Sequence, residues 1–377
     1  MIILEKYLAG RIEKGMSYNF VPNNINQQWQ WTSPEINLLL EKAALKLGEL
    51  NSYARLVPNI DLFIQLHVTK EAVVSSRIEG TQTSMDEALM PEYEISPERR
   101  NDWNEVNNYI TAMNKAIDEL QKLPISSRLI KHTHKILMSD VRGEHKMPGE
   151  YRTSQNWIGG NSLSDAIFIP PHQKYIDDLM GDMENFLHAQ NISVPLLIRI
   201  GIAHYQFETI HPFLDGNGRI GRLLITLFFV SNKILDKPLL YLSSYFEKNK
   251  SLYYDNLTRV RTKNDMAQWL KYFLVGIEQT ASQAVTTLSK VTLLKTSLES
   301  TLHKDFGRRS HTALKVLHQL FVHPVVTIAQ AQKISGLSKK AANDLVAIFV
   351  QEKILKEVTG QSRNRVFVFQ NYLDLFR

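Results

Sequence analysis

Ile210–Leu224 reads IHPFLDGNGRIGRLL, and the rest of the 377-residue chain is organised around it. Gly216 and Gly218 flank Asn217, so three consecutive positions tolerate unusual backbone angles. Such a run can turn its amide N–H groups inward as an anion nest. Arg219-Ile220-Gly221-Arg222-Leu223-Leu224 continues as the first turns of a helix. A helix N-terminus brings a positive dipole end and free N–H donors to the same point. Arg219 and Arg222 are three apart and share a helix face. Two guanidiniums that do not deprotonate, set beside an anion nest, suit a polyphosphate. Asp215 at the mouth suits Mg2+ held against the phosphates, one carboxylate being a usual protein share for that ion. His211, just before the loop, is the natural general base near neutral pH. Pro212 and Phe213 stiffen and anchor the turn. The plain alternative is a glycine loop that only caps a core helix. It weakens when His, Asp, Asn, two Gly and two Arg converge in twelve residues. The stretch is not a GxxxxGK[ST] phosphate loop.

His211-Pro-Phe-Leu-Asp215-Gly-Asn-Gly-Arg219-Ile-Gly-Arg222 resembles the HPFx[D/E]GNGRxxR signature of the Fic family at every position. Members of that family transfer AMP from ATP to a hydroxyl of a target protein. The resemblance implies His211 as base, Asp215 as Mg2+ ligand, and Gly216, Asn217, Gly218 and Arg219, running on through Ile220 and Gly221, as the phosphate cradle. It implies that Arg222 holds the γ-phosphate and so orients the α-phosphate for in-line attack. Such transfers depend mainly on positioning and charge stabilisation, in agreement with the residues present.

A second motif, Ser75-Ser76-Arg77-Ile78-Glu79-Gly80, ends a helix expected from near Pro58 to Gly80, a C-terminal stop. From the residues alone it is a helix end with a surface glutamate. It resembles the family's inhibitory motif, [S/T]xxxE[G/N]. By that resemblance Ser75, Glu79 and Gly80 form an inhibitory element in the same chain, and Glu79 pairs with Arg222 at the nucleotide site. A carboxylate there removes the γ-phosphate's partner and adds a like charge where that phosphate would sit.

At 44% hydrophobic and 22% charged, the chain has ordinary globular composition, with length for two or three domains. It contains no cysteine, which is compatible with a reducing, cytoplasmic compartment and excludes disulfides and thiolate metal sites. The first residues make a poor signal peptide. The longest apolar run, about Leu223–Val230, is too short to span a membrane. Residues 286–377 hold 14 Lys+Arg against 6 Asp+Glu, a balance of +8 that leaves the remainder at −2. Such a basic segment suits nucleic acid, or is a solvated basic surface.

The expected architecture is mainly α: an N-terminal helical region over 1–100, a Fic helical core with a small β-hairpin flap over 101–285, and a linker helix with a winged helix-turn-helix over 286–377. Residues 1–32 read as an irregular arm pinned by Trp29 and Trp31. A helix follows from the Ser33-Pro34-Glu35 cap to about Leu50, and 81–100 read as a linker. Helices are expected over 101–121 and 125–139. His132 and His134 lie on different helix faces, and read as buried or capping histidines rather than metal ligands. Gln155–Pro171 reads as a hairpin around Gly159-Gly160-Asn161-Ser162. By position it matches the family's flap, which registers a target protein by adding its backbone as a strand. Helices over 172–189, 193–209 and 219–232 follow, with His204 packed in the core. Tyr241, Tyr245, Tyr253, Tyr254 and Asn249 lie in 240–261. Tyr254 and Asn249 are the candidates for the adenine, although an aromatic stripe at helical spacing is more often core. Helices over 265–283 and 284–305 lead to a winged helix, with helices at 311–322, 327–335 and 338–352 and a polar tip at 361–365. Lys339, Lys340 and Asn343 lie early on its third helix. Basic residues suit phosphate contacts and Asn suits adenine; docking of protein, or dimerisation, is the other reading.

These observations point to an ATP-dependent protein adenylyltransferase inhibited in cis. A DNA-binding regulator with a nucleotide-sensing site is the alternative from another class. A relative using UTP, CDP-choline or a phosphate donor, or removing AMP, is the alternative within the enzymes.

Overall fold

A computed structural model describes residues 1–14, 18–57, 59–139, 145–361 and 363–376. The N-terminal arm is more regular than its composition suggests. β1 (Ile2–Ile3) pairs in parallel with β4 (Trp29–Gln30), and β2 (Gly10–Lys14) pairs antiparallel with β3 (Tyr18–Pro22). Strands this short carry no alternation to read, and their pairing is supplied by packing: Trp29 is buried against Tyr7, ring centroids 4.9 Å apart, and its Nε1 donates to the Ile25 carbonyl.

α1 (Pro34–Leu56) begins where the Ser33 side chain accepts from Ile36 N. It runs past the expected end at Leu50 because Asn51–Leu56 contains no breaker and Ala54 is buried. α2 (Asp61–Ile78) follows; its expected start at Pro58 lies outside the described residues. Gly80, with φ of +109°, turns the chain away. The expected linker contains α3 (Met85–Leu89), fixed by a reciprocal capping box between Ser84 and Glu87. Then come α4 (Arg100–Glu119), α5 (Ser127–Leu137), α6 (Ile176–His188), α7 (Leu196–Ile210) and α8 (Asn217–Ser231). α7 and α8 are buried nearly all round, polar side chains included, and form the centre of the fold. α6 and α11 pack against α7, while α2, α4 and α5 pack against α8.

α9 (Ser243–Lys248) and α10 (Lys250–Lys263) lead into α11 (Met266–Asp305). The two helices expected over 265–283 and 284–305 are therefore one of 40 residues. No glycine or proline lies between Gly276 and Asp305, and the apolar stripe continues without a step through Ala281, Ala284, Leu288 and Val291. The C-terminal module comprises α12 (Ser310–Val322), β5 (Val325–Thr327), α13 (Ile328–Ser335), α14 (Lys339–Gln351), β6 (Lys356–Glu357), β7 (Val366–Val368) and α15 (Gln370–Leu373). Its sheet is antiparallel in the order β5-β7-β6. α12 packs on α2, with Phe321 edge-on to Phe63 at 5.6 Å. Thus α2 lies between the buried centre and the C-terminal module. Among the described residues no helix is long and apolar enough to cross a membrane.

Candidate active site

The loop at the end of α7 is set by three side chains, two from elsewhere in the chain and one its own. α7 stops because His211 takes a left-handed conformation (φ 51°, ψ 60°), uncommon for a residue with a Cβ. Arg152, 2% exposed, holds it there. Its Nε donates to the His211 carbonyl at 2.9 Å, Nη1 to Ser154 O at 3.1 Å, and Nη2 to Pro171 O at 2.5 Å and Ile210 O at 3.4 Å. One planar fork thereby ties both ends of the 155–171 segment to the loop. Asn217 then reads both backbone groups of Phe213: its Oδ1 accepts from Phe213 N and its Nδ2 donates to Phe213 O, both at 2.8 Å. An amide supplies both a donor and an acceptor, which a carboxylate does not. His134 stacks on Phe213 at 3.8 Å, and its Nδ1 accepts from Gly149 N. That leaves the proton on Nε2, which donates to Asp215 O at 3.0 Å. Burial lowers the His134 pKa to about 4, so the ring stays neutral in this role. Gly216 (φ 74°) opens α8.

Arg152→Lys is expected to lower stability by about 2–4 kcal/mol, because an ammonium cannot serve four carbonyls at once and strands some of them in the interior. A fall in the urea midpoint at unchanged slope is the measurement.

The loop, α8 and α2 converge on Arg222. Its Nε donates to Ser75 Oγ at 2.9 Å, and its Nη2 to Ser75 O at 2.9 Å and Glu79 Oε1 at 2.7 Å. The Glu79 carboxylate also rests on the loop: a Cβ added at Gly218 would stand 2.2 Å from Glu79 Oε1. Burial pushes the Glu79 carboxyl up, but Arg222, with Arg219 and His211, outweighs it and holds the group below its usual value. Arg219 Nη1 meets Glu105 Oε2 at 3.2 Å and Nη2 lies 3.8 Å from Asp215 Oδ1. Asp215 keeps 48% of its side chain exposed, and its Oδ1 accepts from Gly216 N. An open carboxylate beside the N–H groups that start α8 suits Mg2+, which takes one or two protein carboxylates and completes its shell with substrate phosphates and water. No group of three or more candidate ligands occurs among the described residues.

Among the described residues His211 Nδ1 is buried without a hydrogen-bond partner. Burial, then the Arg152 charge, lower its pKa to about 4, so the imidazole is a free base at pH 7. Behind it, burial pushes Glu208 up to about 7; its Oε1 lies where a Cβ on Gly221 would go. His204 is fully buried between Gly221 O and the Tyr253 hydroxyl, a core histidine. Tyr254 is part-exposed and within the field of Glu79 and Arg222. Asn249 closes α9, its Nδ2 donating to Tyr245 O, and among the described residues its side chain makes no hydrogen bond to the loop.

The expected hairpin is reduced to a single bridge, Ile158 with Phe168. Asp165 gathers Asn161 N and Ser162 N into a wide turn, and Ile169 O turns instead to Phe20 N. Ile167 (79%) and Trp157 (40%) are left exposed.

Sequence reasoning missed Arg152, Glu105, Glu208 and Lys250, whose Nζ donates to Ile78 O at 2.8 Å, and it read His134 as a buried or capping histidine without its contact to the loop. Gly216, Gly218 and Gly221 have GxGxxG spacing, but the loop follows a helix and not the strand that a dinucleotide fold requires.

Residues 37–118 match the Fic/DOC family N-terminal domain and residues 124–229 the Fic/DOC family domain. Protein adenylyltransferase fic-1 of Caenorhabditis briggsae is 31% identical over 114 residues, 28% of this chain and 21% of that protein. Protein adenylyltransferase Fic of Drosophila erecta is 35% identical over 107 residues, 28% and 20% respectively. The chain thus spans about a fifth of the length of these relatives. A crystal structure of a Fic family protein from Desulfovibrio desulfuricans G20 shares the fold, with TM-score 0.57 at 19% identity, over 91% of this chain and 98% of that one. The two matched segments carry α2, α7, α8 and the loop they enclose, and on them the chain belongs to the Fic/DOC family.

Proposed function

We propose that this chain is a protein adenylyltransferase held in check by its own α2. The observation that carries the reading is the Glu79 carboxylate on Arg222 and Gly218, an anion lodged where the loop offers an anion site, beside an unprotonated His211. With ATP in that site, the loop N–H groups and Arg219 bind the phosphates and Arg222 holds the γ-phosphate. His211 accepts the proton of a target Ser, Thr or Tyr hydroxyl. The freed oxygen bonds to the α-phosphorus as the bond to the β-phosphate oxygen breaks, and pyrophosphate carries away the electron pair. Mg2+ on Asp215 would supply charge neutralisation of the triphosphate. The exposed Ile167 and Trp157 of the 155–171 flap support docking of the target there.

The residues named do not select the base, so other donors, or removal of AMP by water, use the same site. Mass spectrometry of Glu79→Gly protein after incubation with mixed nucleotides tests the reading. An AMP adduct on Ser, Thr or Tyr is expected; a different adduct, or none, overturns it. The regulator reading needs α14 free for DNA. Against it, Asn343 Oδ1 accepts from Arg365 Nη2 at 2.8 Å, which engages the side chain meant for adenine, and α12 is docked on α2.

A further inference from the structure

A cavity of about 280 Å³ lies between α2, α9, α11 and Phe376, away from the loop. That is close to the lower end of the roughly 300–1,000 Å³ typical of small-molecule sites. Three side chains more than nine-tenths buried line it with a polar atom that has no hydrogen-bond partner among the described residues: His67 Nε2, Glu71 Oε2 and the Tyr241 hydroxyl. Buried polar atoms rarely go unpaired, because desolvation without a hydrogen bond is costly. Three on one cavity describe the inside of a binding site. Lys70, half-buried, and Lys248, at the rim, also line it, and neither forms an ion pair among the described residues. Phe376, edge-on to His67 at 4.8 Å, supplies an apolar wall.

We propose that this cavity binds a small organic anion bearing a hydroxyl or amino group. The anionic group lies between Lys70 and Lys248, its N–H or O–H donates to Glu71 Oε2, and one of its oxygens accepts from Tyr241. The site also connects to Arg222. Glu71 Oε1 accepts from Ser243 Oγ at 2.5 Å and from the Tyr109 hydroxyl at 3.1 Å; Tyr109 stands beside Ser75, which accepts from Arg222 Nε. Glu71 and Glu79 lie about two turns apart on one helix. A guest whose partners sit on α2 as docked binds that arrangement better than a displaced one, and so strengthens the inhibition. This second step, unlike the binding itself, rests on the autoinhibited reading above.

L-malate and glycerol 3-phosphate are the carboxylate and phosphate forms of this chemistry, with sulfate at matched ionic strength as control. Calorimetric titration of the full chain should show saturable one-site binding of at least one of them. Lys70→Gln should weaken it about tenfold, the loss of one charge-assisted hydrogen bond, and Ala284→Leu, which fills the cavity, should abolish it while the melting curve stays cooperative. No saturable binding of either probe overturns the site, as does binding that both variants leave unchanged, or a crystal soaked in probe that shows water alone there. The bound probe should slow modification by the wild-type chain and leave Glu79→Gly unaffected; equal slowing of both overturns the coupling. A Glu79→Gly chain that is no more active than wild type sinks the autoinhibited reading and leaves the binding result standing.

Discussion

Alanine at position 211 is expected to reduce transfer of AMP to protein by about 10²–10⁴-fold, the usual contribution of a general base, while ATP still binds. The comparison belongs in the Glu79→Gly background, where the starting rate is measurable, with α-labelled ATP and label on protein as the readout. The fold should tolerate the change. Among the described residues His211 Nδ1 has no partner to strand, and the residue's carbonyl and N–H are held by Arg152 and Phe207 whatever the side chain. Equal loss of ATP binding would assign His211 to the cradle instead. The pH dependence follows from the same burial. With a pKa near 4 the ring is unprotonated above about pH 5, so activity should be level from neutrality down to that point and fall below it. Stability carries the same sign. A histidine held near 4 when folded and near 6.5 when unfolded contributes nothing above pH 6.5. As pH falls from 6.5 towards 4 the unfolded chain gains the proton first, and stability is lost. His134, held near 4, and His67 and His204, held near 3, add to the effect. Circular dichroism against pH separates unfolding from loss of the base: His211→Ala should hold its fold to slightly lower pH than the parent.

Why could the loop be read in the sequence when its supports could not? Everything from His211 to Arg222 acts through local geometry: glycines beside an amide, a helix start, two arginines one turn apart. Spacing encodes such features. Arg152 acts at a sequence distance of 59 residues from His211, and His134 at 81 from Asp215. Neither sits in a pattern; one lies in a polar loop and the other on an ordinary amphipathic helix. The Ser75–Glu79 contact with Arg222 spans over 140 residues, and was legible only because its motif resembles one whose partner is known. Helix starts at Ser33, Thr327 and Ser338 were readable for a local reason too, since each side chain accepts from the N–H three residues on. The N-terminal strands and the shrunken flap hairpin were not, because their pairing depends on which distant carbonyl or ring is available. Ile169 facing Phe20 instead of extending the hairpin is one such outcome.

Glu79→Gly should raise transfer by about 10- to 100-fold. The contact it removes is one charge-assisted hydrogen bond to a buried guanidinium, about 1.5–3 kcal/mol, and a triphosphate must displace that contact before Arg222 can serve it. Glycine suits the position, since Glu79 is the C-cap of α2 and its side chain, among the described residues, bonds to Arg222 and rests on the loop at Gly218. The gain carries a stability loss. Arg222 is 3% exposed, and a buried charge stripped of its counter-ion is destabilising. The loss should be about 1–3 kcal/mol, below the usual range for a buried pair, because Glu79 itself is 35% exposed and Ser75 still accepts two bonds from Arg222. ATP with Mg2+ should therefore raise the melting temperature of Glu79→Gly more than that of wild type, since only in the variant does the γ-phosphate meet an unpaired guanidinium. Arg222→Ala gives the decisive combination. If Arg222 both receives the inhibitory carboxylate and holds the γ-phosphate, the double variant should lose the activation and the extra ATP stabilisation together. A double variant as active as Glu79→Gly alone would mean that α2 blocks the loop by bulk over Gly218, with the guanidinium as no more than its anchor.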